Sequence, residues 1–285
     1  VFEKNLIVYN GNFIPEINFR ISAGNRAFLY NDSLFETFFC LPQKVIFFDD
    51  HFNRLISGMK ILEMNIPEKF ISRKEQIKEE IISLLKHNKI NTSARVRFKV
   101  FRKEGGLYTP DNNDIEYIIS TEKLKEKEFV LNEYGLTIGD FSKILKQKTS
   151  FSSFKSQDSM IYILAGKFAK KNSFDDCIIY NTENNVCETI SSNIFIVKEN
   201  KIFTPTISEG IIDGVMRKNV IQTAKDAGFD IEETIIKSED LIKSDEVFLT
   251  NSISGIKWVI AYQEKRYYNN KSKKFIQLIN EKFIR

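Results

Sequence analysis

Between Ser93 and Lys103 the chain reads SARVRFKVFRK, with apolar and charged side chains alternating. A period of two is the period of a strand. Just upstream the period is different. In DDHFNRLISGMKILEM, residues 49–64, the side chains Phe52, Leu55, Ile56, Met59, Ile61 and Leu62 recur at helical spacing behind leading acids. PEKFISRKEQIKEEIISLLKHN repeats that helical pattern, with Pro67 near its start. Helices that precede a sheet strand, with EYIISTEKLKE continuing the sheet, point to an α+β arrangement.

The rest of the chain has the same mixed character. NLIVYNGNFIPE places Asn10-Gly11 between two apolar runs, a two-residue hairpin signal. RAFLYNDSLFETFFC reads as strand with a turn near Asn31-Asp32. The polar, charged stretch 121–128 is the expected linker between a domain over 1–120 and a larger one over 129–285. Residues 159–172 read as a helix with Ile163, Leu164 and Phe168 inward. Two or three short strands follow in DDCIIYNTENNVCETISSNIFIVKENKIFTP, and then a Gly-containing loop leads into a helix that Gly228 ends. SDEVFLTNSISGIKWVIAYQEK is strand, loop, strand, and SKKFIQLINEKFI is a closing helix. A length of 285 residues suits two such domains.

Composition narrows the chemistry. A 42% hydrophobic and 28% charged chain is ordinary for a soluble protein, and no apolar run is long enough to cross a bilayer. VFEKNLIVYN does not read as a signal peptide. The net charge of +4 is interspersed, which argues against a nucleic-acid binder. Cys40, Cys177 and Cys187 fit a reduced, cytoplasmic protein better than a disulfide framework. His51 and His87 have no partners at metal-ligand spacing, so no metal site is expected. GxGxxG and GxxxxGK[ST] are absent.

Four pieces remain. Lys155 stands in the hydroxyl-rich, partly aromatic FSSFKSQDS just before a helix, where a lowered amine pKa would suit Schiff-base chemistry. Glu188 precedes the apolar strand of CETISSNIFIV. EGIIDGVMRK has two glycines before a helix start, the form of an anion site. Arg54 in HFNRL sits on an amphipathic helix. Each has an ordinary alternative: a surface lysine, a turn carboxylate, a plain loop and an i,i+4 ion pair.

In this order the pieces resemble the class IV aminotransferases, the fold type IV group of pyridoxal-phosphate enzymes. VYNGNFIP resembles the family's opening hairpin, and NRAFLYNDSLFETF its D-R-G-x-x-x-G-D-G-x-F-E stretch. HFNRL resembles H-x-x-R-L, CETISSNIF resembles E-x-x-x-S-N-I-F, and TPTISEGIIDGVMR resembles T-P-x(n)-G-I-x-G-x-x-R. The resemblance implies a small N-terminal α/β sandwich and a larger C-terminal pseudo-barrel with helices. It implies that Lys155 carries pyridoxal 5'-phosphate and moves the α-proton, and that Glu188 pairs with the ring nitrogen. Arg54, the backbone N–H groups of Val215 and Met216, and Ser252 with Asn251 beside it would bind the phosphate. Phe35 and Arg97 would line the substrate pocket, with Arg102 the second candidate for a substrate carboxylate. A homodimer acting on an amino acid and a 2-oxo acid is implied as well.

The chain departs from the pattern in three places. Asn31-Asp32-Ser33 replaces Gly-Asp-Gly; Asp158, Ser159 and Met160 stand where the family often has Asn and Tyr after the lysine; Phe101-Arg102-Lys103 replaces Thr-Arg-Gly. Three functions stay open: an amino-acid aminotransferase, branched-chain or related; a 4-amino-4-deoxychorismate lyase, releasing pyruvate and 4-aminobenzoate, to which FETF and TNSISGIKWV lean; and a non-catalytic binding module on the same fold.

Overall fold

The computed structural model describes residues 5–285. The chain forms two compact units. The first holds the chain up to Lys127 together with Phe154–Asp158, and the second holds Glu128–Ser153 and Ser159–Arg285.

In the first unit, β1 (Leu6–Tyr9) and β2 (Asn12–Pro15) form the hairpin, with Asn10 and Gly11 at φ 51° and 86° as its turn requires. Next come α1 (Arg26–Tyr30), β3 (Ser33–Leu41), β4 (Lys44–Val45), α2 (Phe48–Ile61), α3 (Glu68–Ser72), α4 (Lys74–His87), β5 (Ser93–Arg102) and β6 (Ile115–Leu124). The strands make one sheet in the order β2-β1-β6-β5-β3-β4. Val96, Phe98 and Val100 of β5 join Phe52 and Met59 of α2 and Ile77 and Ile81 of α4 in one buried core. Arg97 on the other face is exposed.

Three expectations change here. RAFLY is a helix, because Asn25 caps it (Oδ1 accepts from Phe28 N–H at 3.2 Å) and left-handed Asn31 (φ 57°) ends it. Ser33 is already extended in β3, so only Asn31 needs the conformation that glycine gives the family. The single helix expected from Pro67 onward is two, parted at Arg73 (φ −134°, ψ 38°). The linker at 121–128 is corrected at its front, since Thr121 to Leu124 pair with Ser93 to Val96 as strand.

The second unit contains β7 (Leu136–Lys146), α5 (Met160–Lys171), β8 (Asp176–Asn181), β9 (Val186–Thr189), β10 (Asn193–Lys198), β11 (Lys201–Pro205), α6 (Val215–Asp226), β12 (Ile231–Thr234), α7 (Ser238–Lys243), β13 (Glu246–Asn251), β14 (Gly255–Tyr262), β15 (Lys265–Arg266) and α8 (Asn270–Phe283). Six strands, β10-β13-β14-β7-β8-β9, close into a barrel, because β9 pairs back to β10 at Glu188–Asn193. One apolar cluster draws on all six, including Ile138, Ile178, Val186, Ile194, Leu249 and Val259. Outside it, Phe195 stacks on Phe248 (4.9 Å between centroids), which meets Phe275 of α8. Leu164 and Phe168 of α5 pack on Phe141, Cys177 and Ile179. Ile163, expected inward, is exposed.

Candidate active site

In the first unit, Phe154–Asp158 runs beside β3. Phe35 N–H donates to Lys155 O at 3.0 Å, and Gln157 N–H to Ser33 O at 3.3 Å. These bonds tie Lys155 to the first unit, which corrects its expected place in the C-terminal domain. They also set its Nζ 4.4 Å from the centroid of the Phe35 ring.

One residue on, the strand period turns Glu36 to the helix-covered face. Arg54 of α2 donates Nε–H to Glu36 Oε1 (2.7 Å) and Nη2–H to Oε2 (2.6 Å), and His51 Nδ1 lies 2.6 Å from Oε2. Arg54 thus has a cross-element partner in Glu36, and a fork-on-fork clamp fixes the plane of its guanidinium. Burial alone would raise the Glu36 carboxyl; the Arg54 charge, then His51 and the bonds from both, override it and hold it at about 2. Burial pushes His51 down despite Glu36, with Arg54 and Lys155 adding to the effect. Facing a carboxylate, which only accepts, His51 donates through Nδ1–H.

Arg102 is buried. It donates Nε–H to Asp32 (2.9 Å), Nη2–H to Leu62 O (2.6 Å) and Nη1–H to Asn113. Its expected substrate role is corrected on that ground: its donors hold β5, the turn after α1 and the end of α2 together. Arg26 shares the same Asp32 oxygen at 2.8 Å.

In the second unit, Glu188 is 2% exposed. Its Oε1 accepts from Tyr162 Oη–H at 2.7 Å and from the Lys146 ammonium, and its Oε2 accepts from Ile212 N–H at 2.9 Å. Asn193, its partner across the barrel seam, donates Nδ2–H to Ile212 O at 2.8 Å. Two residues further, a Cβ on Gly214 would lie 1.8 Å from Asn193 Oδ1, so close approach requires glycine there. α6 then starts at Val215 with no side chain capping it. The N–H groups of Val215 and Met216 have no acceptor inside the helix. Arg217 anchors that start from beneath, donating to Pro205 O (2.7 Å) and Glu233 (2.6 Å). Asn251 Oδ1 accepts from Ile253 and Ser254 N–H at 3.0 and 2.8 Å, so its carboxamide shapes the turn on which half-buried Ser252 sits.

Gly214→Ala is expected to cost about 1–3 kcal/mol through overpacking. In urea denaturation the added Asn193→Ser change should recover part of that loss. An unchanged midpoint in the single variant would refute the close-approach reading.

Pyridoxal phosphate fits these residues. Three donors occupy Glu188 against about four acceptor positions on a carboxylate, which leaves room for a ring N–H. The loop that donates to Glu188 runs straight into an uncapped helix start, a ready anion site. Glu36, Lys146 and Tyr162 were missed in the sequence. For Glu36 the signal was present in the F-E of the family stretch; for Lys146 and Tyr162 only the barrel closure reveals the pairing. Among the described residues no cluster of His, Cys, Asp and Glu could hold a metal ion, and no helix is long and apolar enough to cross a membrane.

One unit is a helix-covered sheet that carries the Lys155 segment, and the other is a closed barrel that carries the buried Glu188 carboxylate. Residues 33–261 match the family model "Amino-transferase class IV", and the chain belongs to that family. It is 27% identical over 289 residues to the aminodeoxychorismate lyase of Bacillus subtilis (98% of this chain, 95% of the relative). It is 26% identical over 268 residues to a probable branched-chain-amino-acid aminotransferase of Synechocystis (87% and 82%). The branched-chain amino acid aminotransferase of Thermobaculum terrenum, solved in PLP-form, shares the fold at TM-score 0.86 and 18% identity, covering 98% and 93% of the two chains.

Proposed function

We propose that the protein uses pyridoxal 5'-phosphate to move an amino group between an amino acid and a 2-oxo acid. The observation that carries this is the Glu188–Ile212–Gly214 run, which joins a buried carboxylate to an uncapped helix start. When bound, the cofactor supplies an electron sink for the charge left at the substrate Cα. The chain's own groups do the rest. Lys155 Nζ would hold the cofactor and, once freed by the incoming amino group, would take the proton from Cα and deliver it to the cofactor side. Glu188 would accept a hydrogen bond from the ring nitrogen and so keep a proton there. Lys146 and Tyr162 orient it. Arg54, held flat by Glu36, binds the phosphate with the N–H groups of Val215 and Met216 and the Ser252 hydroxyl. Phe35 and Arg97 take the substrate, Arg97 by its carboxylate.

A second reading, aminodeoxychorismate lyase, is favoured by the 27% identity to a lyase over 98% of this chain. One assay separates the two: glutamate or a branched-chain donor with a 2-oxo acid acceptor, run beside 4-aminobenzoate release. Amino transfer alone supports the first, 4-aminobenzoate alone the second, and neither from loaded protein refutes both.

A homodimer fits the exposed apolar side chains Phe28, Leu107 and Tyr108, the last two on a loop whose Leu107 carbonyl accepts from Arg26 at 2.6 Å. Sedimentation should give twice the 33.2 kDa chain mass; a monomer at working concentration would overturn this. Three buried free thiols suit a reducing, cytoplasmic setting.

A further inference from the structure

The face of the first unit's sheet that carries Phe35 also carries Arg95, Arg97, Lys99 and Phe101, since all are odd-numbered and in register. Phe35 lies directly opposite Lys99, which lies opposite Ile118; Thr37, Arg97 and Ser120 form the next row. A cavity of about 290 Å³ opens over these rows, lined by Arg97 and Lys99 with Gln157 and with the apolar Phe28, Phe101 and Ile118.

The cations on this strand divide into two kinds. Arg95 pairs with Glu122 at 2.8 Å, and Arg102 with Asp32 at 2.9 Å. The two that line the cavity have no carboxylate partner among the described residues, and no carboxylate lines the cavity. Burial, and then the charge of Arg97, pushes the Lys99 amine below the usual lysine range. Two like charges sit two residues apart, roughly 6.6 Å along the strand. That is the scale of the separation between the carboxylates of a short diacid.

We propose that Lys99 is a second anion-binding group beside Arg97, and that their shared cavity selects substrates with two carboxylates over branched-chain monocarboxylates. The identity of that ligand as substrate rests on the reading above. A diacid meets both cations. A branched-chain side chain leaves one of them desolvated and unpaired while its own apolar carbons lie against charge.

Calorimetric titration of the pyridoxal-phosphate-loaded protein with glutarate and with 4-methylpentanoate tests this. Wild type should bind glutarate about 10- to 100-fold more tightly, the range of one charged hydrogen bond. Lys99→Met should lose that preference and Lys99→Arg keep it, with thermal melts confirming that both variants fold. Equal binding of the two ligands by wild type, or a preference that survives Lys99→Met, overturns the proposal. The amino-transfer and 4-aminobenzoate assays judge the parent reading separately. A Lys99-dependent glutarate preference without either product would keep the anion site and discard the function.

Discussion

Lys155→Ala is expected to lower amino transfer by at least about 10³-fold, since one change removes both the attachment point and the acid–base group. It should also remove the visible absorption of protein-bound pyridoxal phosphate. The fold should survive. The Lys155 carbonyl accepts from Phe35 N–H, and alanine keeps that bond. The side chain's contact with the Phe35 ring is worth only about 0.5–1 kcal/mol. Lys146 is the informative control. Its ammonium is fixed on Glu188, so it is engaged as a partner and not poised as a nucleophile. Lys146→Met should therefore keep the visible band and show a weaker effect on turnover. If the band persists in Lys155→Ala and vanishes in Lys146→Met, the two roles are reversed and the assignment of the catalytic lysine is wrong.

What the sequence revealed depended on how local the cause was. Asn10-Gly11 carries its own backbone preference, so the hairpin was legible. The α2 pattern was legible because its apolar face is written at helical spacing. RAFLY was not, because its aromatic and apolar residues favour strand, and only the Asn25 cap and the left-handed Asn31 decide for helix. The 121–124 stretch looked like a linker because it is charged, yet a strand with solvent on one side tolerates that charge. Lys155 and Glu188 were legible as motif members, but their settings were not. The pairing of residues 154–158 with β3 and the closure of β9 on β10 join segments far apart in the chain. Nothing near Lys155 in sequence foretells which unit it belongs to. Lys99 escaped notice for a different reason: its oddity is that no carboxylate among the described residues pairs with it, visible only once Arg95 and Arg102 are seen to have their partners.

The Glu36 carboxylate underlies the second large effect. It is a buried acid between Arg54 and His51, and Glu36→Gln keeps its shape while removing its charge. Breaking a buried pair from one side leaves the other charge uncompensated, at a cost of about 3–5 kcal/mol. Arg54 would lose the clamp that fixes its guanidinium, so affinity for pyridoxal phosphate should fall along with stability. Acid should reveal the same group. The Glu36 pKa is depressed from 4.5 to about 2 in the fold, so its contribution is complete above 4.5 and is lost as pH falls from there toward 2. By linkage that contribution is about 3 kcal/mol. His51 acts in the same direction from a higher pH. Its folded pKa lies below the ordinary 6.5, so below 6.5 the unfolded chain binds a proton that the fold resists, and stability again falls with pH. Urea midpoints should thus decline in two stages, one beginning below about pH 6.5 and a steeper one below about pH 4.5. His51→Gln should remove the first stage. Glu36→Gln should remove the second while starting from a lower midpoint at neutral pH. A Glu36→Gln protein as stable as wild type at pH 7, with an unaltered acid limb, would show that Arg54 and His51 are held by something other than this carboxylate.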